Sequence, residues 1–320
     1  MKEKHIAIIV LHYKNLNDTR ACLASLQKIT YPDCSVIVVN NDSPDHLEKL
    51  KTEFPSCAYI QNKENLGFAE GNNVGMRHAL ANQGVDAILL INNDTEVAPD
   101  FLERMKKIQA DMIAPRMVQY DYRDKVDNLG IVLMSSGLAF NRTRENQKLF
   151  CPSAGCALYS RKLLEAVAFD SPSGSIWYFD PTYFMYAEDL DLGWRARSQG
   201  FKPAYAKDAV IYHKGSAAAG KLSDMAVYHT YRNLLWAQFT NLPALVLLWQ
   251  LPWLCAGWTF IIALYLLKAR PIIITKALFG GIGGMLTMSQ KKSLAQKRIK
   301  VSKKIILSWF ETGLFPLRRY

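Results

Sequence analysis

The residue types that could carry chemistry in this chain lie in two acidic segments about 95 residues apart. The first, residues 92–95 (Asn-Asn-Asp-Thr), comes directly after an apolar run, and the second, residues 188–191 (Glu-Asp-Leu-Asp), opens a segment with helical character. An acid just beyond a buried strand can hold Mg²⁺ or Mn²⁺ against a diphosphate, because these ions prefer hard oxygen ligands. An acid beside a hydroxyl can accept its proton.

Asp94 is the predicted metal ligand of the first segment, and the neighbouring amide of Asn93 can reach a ribose or a base. His213, at the end of a later apolar run, is predicted as a further ligand of the metal or of a diphosphate. The ion would offset the negative charge that develops on a departing diphosphate. Both residues also have a simpler interpretation, since Asn-Asn-Asp-Thr favours a turn and a histidine can form ordinary hydrogen bonds.

Three acids of the second segment, Glu188, Asp189 and Asp191, compete for the role of general base. Displacement at a sugar carbon needs a carboxylate within hydrogen-bond reach of the attacking hydroxyl. We assign that role to Asp189, with Glu188 as the second candidate. The alternative is that all three acids only complement the positive end of a helix. A metal for the leaving group and a base for the nucleophile are together what glycosyl transfer from a nucleotide sugar requires.

The elements that must position these residues alternate between strand and helix over about the first 115 residues. Apolar runs on consecutive positions are typical of parallel strands that are covered on both faces. Strands are predicted at 6–11, 35–39, 58–61, 87–91, 112–114, 153–159 and 209–213. Helices are predicted at 18–29, 44–54, 70–82, 99–109 and 188–199. This order predicts an α/β, Rossmann-like fold with a mostly parallel central sheet, whose ligands gather at the carboxyl ends of the strands.

Polar loops follow three of these strands and are expected at the same edge of the sheet. They cover residues 40–43, 65–75 and 92–95. Glycines in such loops allow close approach of the backbone, and a following helix offers unpaired N–H groups to an anion. Each loop alone is better explained as a turn, but three at one edge predict a nucleotide-sugar site. The predicted residues of that site are Asn41, Asp42, Asn65, Gly67, Asn73 and Asn93.

The positive charge of the chain is concentrated at its C-terminal end. The net charge is +11, and from Lys268 onward there are twelve Lys or Arg residues and one acid, which accounts for all of it. This segment is rich in apolar residues and lacks a nucleic-acid-binding motif, so a nucleic-acid partner is not expected. The six cysteines form no Cys-x-x-Cys pair, which predicts reduced thiols in the cytosol.

Two apolar stretches, 242–267 and 272–288, lie in this C-terminal region. The first has the length to span a bilayer, but a single span would carry the basic tail outside, against the positive-inside tendency. We therefore predict shallow, monotopic insertion on the cytoplasmic face of the cell membrane, with each lysine attracted to anionic lipids by about 1 kcal/mol. The alternative is a buried soluble core or an oligomer interface. The predicted domains are a catalytic domain at 1–227, with halves at 1–115 and 116–227, and a helical membrane-associating region at 228–320.

The order and spacing of these segments closely resemble family 2 of the inverting glycosyltransferases, which have the GT-A fold. The matching runs are residues 8–15, 38–43, 65–75, 90–95, 179–184 and 188–195, together with Gly155. The resemblance covers about residues 5–240. It implies a nucleotide-diphosphate sugar donor, Mg²⁺ or Mn²⁺ at Asp94 and a general base at Asp189. It also implies that Asn41 contacts the nucleobase, with Leu11 and Tyr13 beside it.

Two positions depart from the family pattern. Asn92 replaces the acid that often comes first in the metal motif, and Asn40 with Asn41 replaces the paired acids of some members, which leaves the base specificity open. The amino-acid sequence of the loops looks most like that of a rhamnosyltransferase-type branch of the family, which suggests dTDP-rhamnose as donor. The Gln-x-x-Arg-Trp motif of processive synthases is absent after Glu188, so addition of a single sugar is expected.

The sequence thus predicts a metal-dependent inverting hexosyltransferase that acts on a hydroxyl of a lipid-linked or cell-surface glycan acceptor. An oligomer is compatible with this prediction. The rival hypothesis is a non-catalytic membrane-bound scaffold that binds a sugar nucleotide, and the acids at 94, 188 and 189 argue against it. A nucleotidyltransferase of similar fold would need a glycine-rich basic loop after the first strand, and residues 12–15 (His-Tyr-Lys-Asn) do not provide one.

Overall fold

The structure is a computed structural model that describes residues 5–45, 47–171, 174–215 and 223–316. Within these ranges the chain forms thirteen strands and eleven α-helices. The strands are β1 His5–His12, β2 Cys34–Asn40, β3 Ala58–Gln61, β4 Val85–Asn92, β5 Thr95–Val97, β6 Met112–Gln119, β7 Val126–Asn128, β8 Ile131–Leu133, β9 Ala139–Asn141, β10 Cys156–Ser160, β11 Phe169–Asp170, β12 Ile176–Trp177 and β13 Pro203–His213. The helices are α1 Leu16–Leu26, α2 Glu48–Glu53, α3 Gly67–Leu80, α4 Phe101–Lys106, α5 Arg161–Val167, α6 Glu188–Ser198, α7 Asp224–Asn241, α8 Ala244–Leu267, α9 Pro271–Gly283, α10 Met285–Lys297 and α11 Lys303–Ser308.

The central sheet has the strand order β3-β2-β1-β4-β10-β6-β13-β5, with β7 paired to β6. Strands β3, β2, β1 and β4 are parallel, β6 pairs in parallel with β13, and β10 runs antiparallel between β4 and β6. Alternate residues of β1 enter separate cores, with Ile8 on one face and Ile9 on the other, both fully buried. Covering both faces explains why the strand is apolar at consecutive positions. The predicted mostly parallel α/β fold is confirmed.

Several element boundaries differ from those expected. The helix predicted at 44–54 is shortened to Glu48–Glu53, and position 46 within that prediction lies outside the described residues. Helix α4 begins at Phe101, after the expected Pro99. Strand β13 begins at Pro203 and not near residue 209, because it pairs with β6 along its whole length through one irregularity between Ala206 and Val210. Local sequence does not contain that pairing partner, which is about 90 residues away.

The C-terminal helices pack onto the α/β body and share a hydrophobic core with it. Trp194 of α6 lies against Phe150 and Trp309, with ring centroids 5.0 and 5.6 Å apart. Lys291 of α10 contacts Asp180 at 2.7 Å, reaching the loop that leads to α6. The predicted boundary between residues 227 and 228 falls inside α7, and the division into two domains stays a prediction.

Helix α7 also holds the loop that precedes α6. Asn233 is fully buried, and the two N–H groups of its amide are shared among the carbonyl oxygens of Tyr183, Met185 and Tyr186, which lie 2.8, 2.8 and 2.7 Å from Nδ2. Phe184, Tyr186 and Ala187 have φ values of 62°, 66° and 64°. These left-handed conformations are unfavourable for residues with a Cβ, so the loop depends on contacts of this kind.

Helix α8 is, within the described residues, the one helix long and apolar enough to cross a membrane. Helices α9 and α10 together pass the same test only as a pair bent by 57°. Only 28% of the most apolar 18-residue stretch of α8 is buried, whereas a core helix of a soluble protein is mostly buried. The most exposed large apolar side chains of this region are Leu248, Trp249, Leu267, Ile272, Phe279 and Leu286. Membrane insertion stays a prediction, and an oligomer interface stays its alternative.

Replacement of Asn233 by leucine is expected to destabilise the protein. The substitution removes the amide donor of the Met185 and Tyr186 carbonyl oxygens, and unsatisfied buried groups cost about 1–3 kcal/mol each, so we expect a loss of about 2 kcal/mol or more. Urea unfolding followed by circular dichroism measures this. The control Asn146→Leu, at an exposed position, should leave the free energy of unfolding within about 0.5 kcal/mol of the wild type. Equal destabilisation by both substitutions would contradict the role given to Asn233.

Candidate active site

A cavity of 1210 Å³ opens at the carboxyl edge of β1, β2 and β4. Ten of the twelve predicted site residues line it, and Asp94 and Asp189 are both among them. The ten are Leu11, Tyr13, Asn41, Asn65, Gly67, Asn93, Asp94, Glu188, Asp189 and His213. The two acidic segments that are distant in sequence therefore share one cavity.

Asp94 and His213 are brought together by strand pairing. Strand β13 pairs with β5 so that His213 stands opposite Thr95. The Nε2 atom of His213 lies 3.3 Å from Oδ1 of Asp94, and its Nδ1 lies 2.9 Å from Oδ2 of Asp127. Burial disfavours the imidazolium, but the hydrogen bonds and charges of Asp127 and Asp94 outweigh it and raise the pKa of His213 to about 10.

The Asp94–His213 pair has the donor chemistry of a divalent metal site. One carboxylate oxygen and one imidazole nitrogen are ligands that Mn²⁺ accepts, and the ion would displace the Nε2 proton that the raised pKa favours, while Asp127 is placed to orient the imidazole through its other nitrogen. Among the described residues, no group of three or more His, Cys, Asp or Glu side chains is arranged to hold a metal by itself. The residues present thus fit an ion whose shell is completed by substrate phosphates and water.

Asp189 is held by two backbone groups. Its Oδ2 accepts a hydrogen bond from the N–H of Ala154 at 3.0 Å, and its Oδ1 accepts one from the N–H of Leu190 at 2.7 Å. Burial raises the pKa of Asp189, although the backbone donors oppose this shift. Glu188 is 5% exposed and its Oε2 has no hydrogen-bond partner. Burial and then the charge of Asp189 raise the pKa of Glu188 well above its usual range. A proton acceptor with a raised pKa suits general base catalysis.

Asn41 lines the cavity, but its side chain is fully used within the protein. Its Nδ2 donates to Oδ1 of Asn65 at 2.9 Å and to the carbonyl of Gly67 at 3.0 Å. Its Oδ1 accepts from Nδ2 of Asn62 at 3.0 Å and from the N–H of Leu66 at 3.1 Å. An amide has two donors and two acceptor positions, so none is left for a base. Asn41 therefore joins two loops, and its predicted contact with the nucleobase stays a prediction.

Asn73 and Asp42 are not among the residues that line the cavity, and their role as donor contacts stays a prediction. Asn73 is fully buried, donates to the carbonyl of Phe179 at 2.8 Å and accepts from the N–H of the same residue at 2.9 Å. These two hydrogen bonds hold the backbone at Phe179, which leads into the loop before α6. Asp42 is exposed at the loop surface, where its φ of 58° places it in a left-handed turn.

Gly67 is required by the path of the loop before α6. It has a φ of 75°, and a Cβ at this position would come within 2.5 Å of Phe184. The N–H of Ala69 donates to the carbonyl of Phe184 at 3.1 Å. The start of α3 and the segment that carries the candidate base are thus in direct contact, and a side chain at 67 would separate them.

Several lining residues were not found from the sequence. Asp127 lies in the short strand β7, and nothing local indicates that it meets His213, which is 86 residues away. Other lining residues come from α7, from α8 and from the residue that follows α8, and no motif in the sequence marks them as part of a site. These are Met225, Thr230, Tyr231, Leu234, Ile261, Tyr265 and Lys268. The hydrophobic pattern of α7 and α8 does not indicate that these helices lie close to Glu188 and Asp189.

Comparison with proteins of known sequence places the chain in a family. The model of glycosyl transferase family 2 matches residues 7–168, just over half of the chain. The low-salt glycan biosynthesis hexosyltransferase Agl10 of Haloferax volcanii is 22% identical over 309 residues, covering 89% of this chain and 92% of Agl10. An N-acetylglucosaminyltransferase of Rhizobium leguminosarum bv. viciae is 26% identical over 241 residues, covering 72% of this chain but only 54% of that protein.

Solved structures share the fold at low sequence identity. The mannosyltransferase PcManGT from Pyrobaculum calidifontis, in complex with GDP-Man and Mn²⁺, has a TM-score of 0.54 and 16% identity, covering 89% of this chain and 88% of its own. S. aureus TarS 1–349 in complex with UDP has a TM-score of 0.52 and 16% identity, covering 74% of this chain and 66% of its own. The predicted GT-A fold is confirmed by these likenesses. The chain therefore belongs to glycosyl transferase family 2 and is a glycosyltransferase.

Proposed function

We propose that the protein transfers one sugar, with inversion, from a nucleotide-diphosphate sugar to a hydroxyl of a lipid-linked or cell-surface glycan acceptor. The observation that carries the proposal is that Asp94 and Asp189 line one cavity. Asp94, the candidate metal ligand for the leaving diphosphate, and Asp189, the candidate base for the attacking hydroxyl, can therefore act on the same pair of substrates. The family supports transfer from a sugar nucleotide, while the acceptor class is our proposal.

In the transfer step the acceptor oxygen attacks the anomeric carbon of the donor. The bond from that carbon to the diphosphate oxygen breaks, and the diphosphate leaves with the bonding electrons. Asp189 takes the proton of the acceptor hydroxyl, so its carboxylate must be ionised before the step. Backbone bonds from Ala154 and Leu190 hold this carboxylate in place. Mg²⁺ or Mn²⁺ at Asp94 and His213 would supply Lewis-acid stabilisation of the charge on the diphosphate.

We propose further that the enzyme works at the cytoplasmic face of the cell membrane as a peripheral or monotopic protein. Support comes from exposed apolar residues such as Trp249, which is 78% exposed, and Ile272, which is 70% exposed. Exposed Lys268 and Lys276 lie in the same region and suit an anionic lipid surface. Sedimentation of the full chain with phospholipid vesicles tests this. More protein is expected to sediment with anionic vesicles than with neutral ones, and an equal amount of sedimented protein without vesicles would contradict the proposal.

Donor preference is the first measurement to make. dTDP-rhamnose is the proposed donor, whereas two structural neighbours were solved with UDP and with GDP-Man. Calorimetric titration with UDP-, dTDP- and GDP-sugars, each with Mg²⁺ or Mn²⁺, is expected to give the tightest binding for dTDP-rhamnose. Tighter binding of a UDP- or GDP-sugar would replace the rhamnosyl proposal but not the transferase itself.

Substitution of the two acids should abolish transfer in different ways. Asp189→Asn removes the proton acceptor, and we expect kcat to fall by about 10²–10⁴-fold with nucleotide-sugar affinity unchanged. Asp94→Ala should weaken activation by Mn²⁺ and lower kcat/KM by about a hundredfold or more, since metal stabilisation amounts to several kcal/mol. Asp170→Asn, at an exposed position outside the cavity, is the control. Full activity of both acid variants would show that the assigned roles are wrong.

The pH dependence should identify which acid is the base. The pKa of Asp189 is raised by burial. As the pH decreases, activity is therefore expected to fall at a higher pH than the ordinary pKa of an aspartate would give, and this fall forms the acidic limb of the pH profile. The limb belongs to the ionised form and is lost as the pH drops through this raised pKa. Residual activity of Asp189→Asn should lack the limb, while Glu188→Gln should keep it. The reverse pattern in kcat/KM would move the role to Glu188.

A further inference from the structure

A run of buried polar side chains connects the end of β1 to the cavity. His12, the last residue of β1, and Thr19 of α1 are both fully buried. The Nδ1 atom of His12 lies 2.7 Å from Oγ1 of Thr19, and Nδ2 of Asn93 lies 2.9 Å from the same Oγ1. Asn93 lines the cavity and directly precedes Asp94. Two side chains that substrate cannot reach are therefore linked to one that it can reach.

Asp45 lies at the other end of this run. Its Oδ2 is 3.6 Å from Nε2 of His12, and within the described residues neither of these buried atoms has a hydrogen-bond partner. Asp45 belongs to the loop after β2, where its N–H donates to Oγ of Ser43 at 3.2 Å. The run therefore joins the loop after β2 to the loop after β4, both at the ligand-binding edge of the sheet. We name Asp45, His12 and Thr19 the His12 relay.

The charge of Asp45 determines which nitrogen of His12 carries the proton. Burial lowers the pKa of His12 and outweighs the opposing effect of Asp45, so the ring is neutral at neutral pH. A neutral imidazole has one donor nitrogen and one acceptor nitrogen. A carboxylate oxygen can only accept, so the proton lies on Nε2, which faces Asp45. The Nδ1 atom, which faces Thr19, is therefore the acceptor.

The hydroxyl of Thr19 determines in turn how the amide of Asn93 is oriented. Its single O–H is donated to Nδ1 of His12, so Oγ1 can only accept from Asn93. The second hydrogen of the Asn93 amide is donated to the carbonyl of Lys14 at 3.3 Å. Turning the amide over would place its oxygen against these two acceptors. Both N–H groups are thus used by the protein, and Oδ1 is the amide atom left for a ligand in the cavity.

We infer that the His12 relay is a positioning device that holds the Asn93 amide with its oxygen toward the nucleotide half of the sugar donor. The inference rests on the proposed transferase function and adds His12, Thr19 and Asp45 to the residues that determine donor affinity. An amide oxygen fixed in this way can accept a hydrogen bond from a hydroxyl of the nucleotide's pentose without first being ordered. The three relay residues are not among those that line the cavity, so they act through Asn93.

The protonation of the His12 ring tests the direction of the relay without any ligand. In protein labelled with ¹⁵N in its histidine rings, a protonated and an unprotonated ring nitrogen differ widely in chemical shift. The signals of His12 are those absent from the His12→Asn variant. We expect a neutral ring with its proton on Nε2 at neutral pH. A proton on Nδ1, or on both nitrogens, would overturn the inference.

Nucleotide affinity of Thr19 variants tests the consequence of the relay. The full-length protein is titrated calorimetrically with UDP and with dTDP in the presence of Mn²⁺, and the nucleotide that binds more tightly is used for the variants. Thr19→Val keeps the shape but loses the hydroxyl, and should raise the Kd by about tenfold. Thr19→Ser keeps the hydroxyl and should stay within about twofold of the wild type. The control Thr52→Val removes a helical hydroxyl that donates to the carbonyl of Glu48, outside the cavity, and should not change the Kd.

A double-mutant cycle separates positioning from a general structural role. Asn93→Ala should raise the Kd by about tenfold, because it removes the hydrogen bond to the nucleotide. Adding Thr19→Val to this variant should raise the Kd no further, since Thr19 acts only through the amide that has been removed. Independent effects would multiply to about a hundredfold, and that result would overturn the inference.

Asp45→Asn keeps the inference testable if Thr19→Val fails to fold. The side chain of Asp45 is 31% exposed, and the new amide can donate to Nε2 of His12, which allows the ring proton to move to Nδ1. We expect this move in the ¹⁵N spectrum and a rise in Kd of about threefold or more. Asp170→Asn, exposed and outside the cavity, should match the wild type in both measurements. A moved proton with an unchanged Kd would overturn the inference.

The outcomes separate this inference from the proposed function. Nucleotide binding by the wild type with independent effects of the Thr19 and Asn93 substitutions would overturn the relay and leave the transferase. Nucleotide binding with the expected cycle, but without sugar transfer from any donor, would overturn the proposed function and leave the relay. A wild-type protein that binds no nucleotide would overturn both.

Discussion

The loop that leads into α6 is the constraint on which the rest of the site depends. Three of its residues, Phe184, Tyr186 and Ala187, have left-handed backbone conformations, each costing about 1–2 kcal/mol. Such conformations persist only where neighbouring groups determine them. Asn233 binds three carbonyls of the loop, and the N–H of Ala69 binds a fourth. The loop can therefore turn the chain so that the acids at the start of α6 line the cavity.

This arrangement makes the C-terminal helices part of the catalytic body. Helix α7 supplies Asn233 to the loop, α10 supplies Lys291 to Asp180, and α8 lines the cavity with Ile261. These contacts bind the C-terminal helices to the segment that carries the candidate base. Removal of the C-terminal region would therefore disturb the active site as well as any association with a membrane.

The central sheet performs the other half of the positioning. The parallel strands β1, β2 and β4 end at one edge, which collects the polar loops where a ligand can meet them. Strand β10 runs antiparallel between β4 and β6, and the residue two positions before it, Ala154, holds Asp189. Pairing of β13 with β5 brings His213 to Asp94. Backbone hydrogen bonds are thus the means by which residues distant in sequence form one site.

The sequence by itself determined the fold class, the parallel half of the sheet and the two acidic segments. Runs such as residues 6–11 indicate burial on both faces, and residues 92–95 and 188–191 indicate where acids follow a strand or begin a helix. Helix α6 agrees closely with the prediction because its acids and Gly200 mark its ends locally. These features depend on neighbouring residues, which local patterns describe.

Only the tertiary structure decided which polar groups meet. Asn41 and Asn73 look alike as amides in polar loops, yet the structure uses both to join segments, the latter to Phe179, 106 residues away. Asp127 meets His213 across 86 residues, and α8 turns Ile261 and Tyr265 toward the cavity. Hydrogen bonds and cavity walls of this kind follow from how elements pack, and a periodic pattern along one element carries no information about its distant partners.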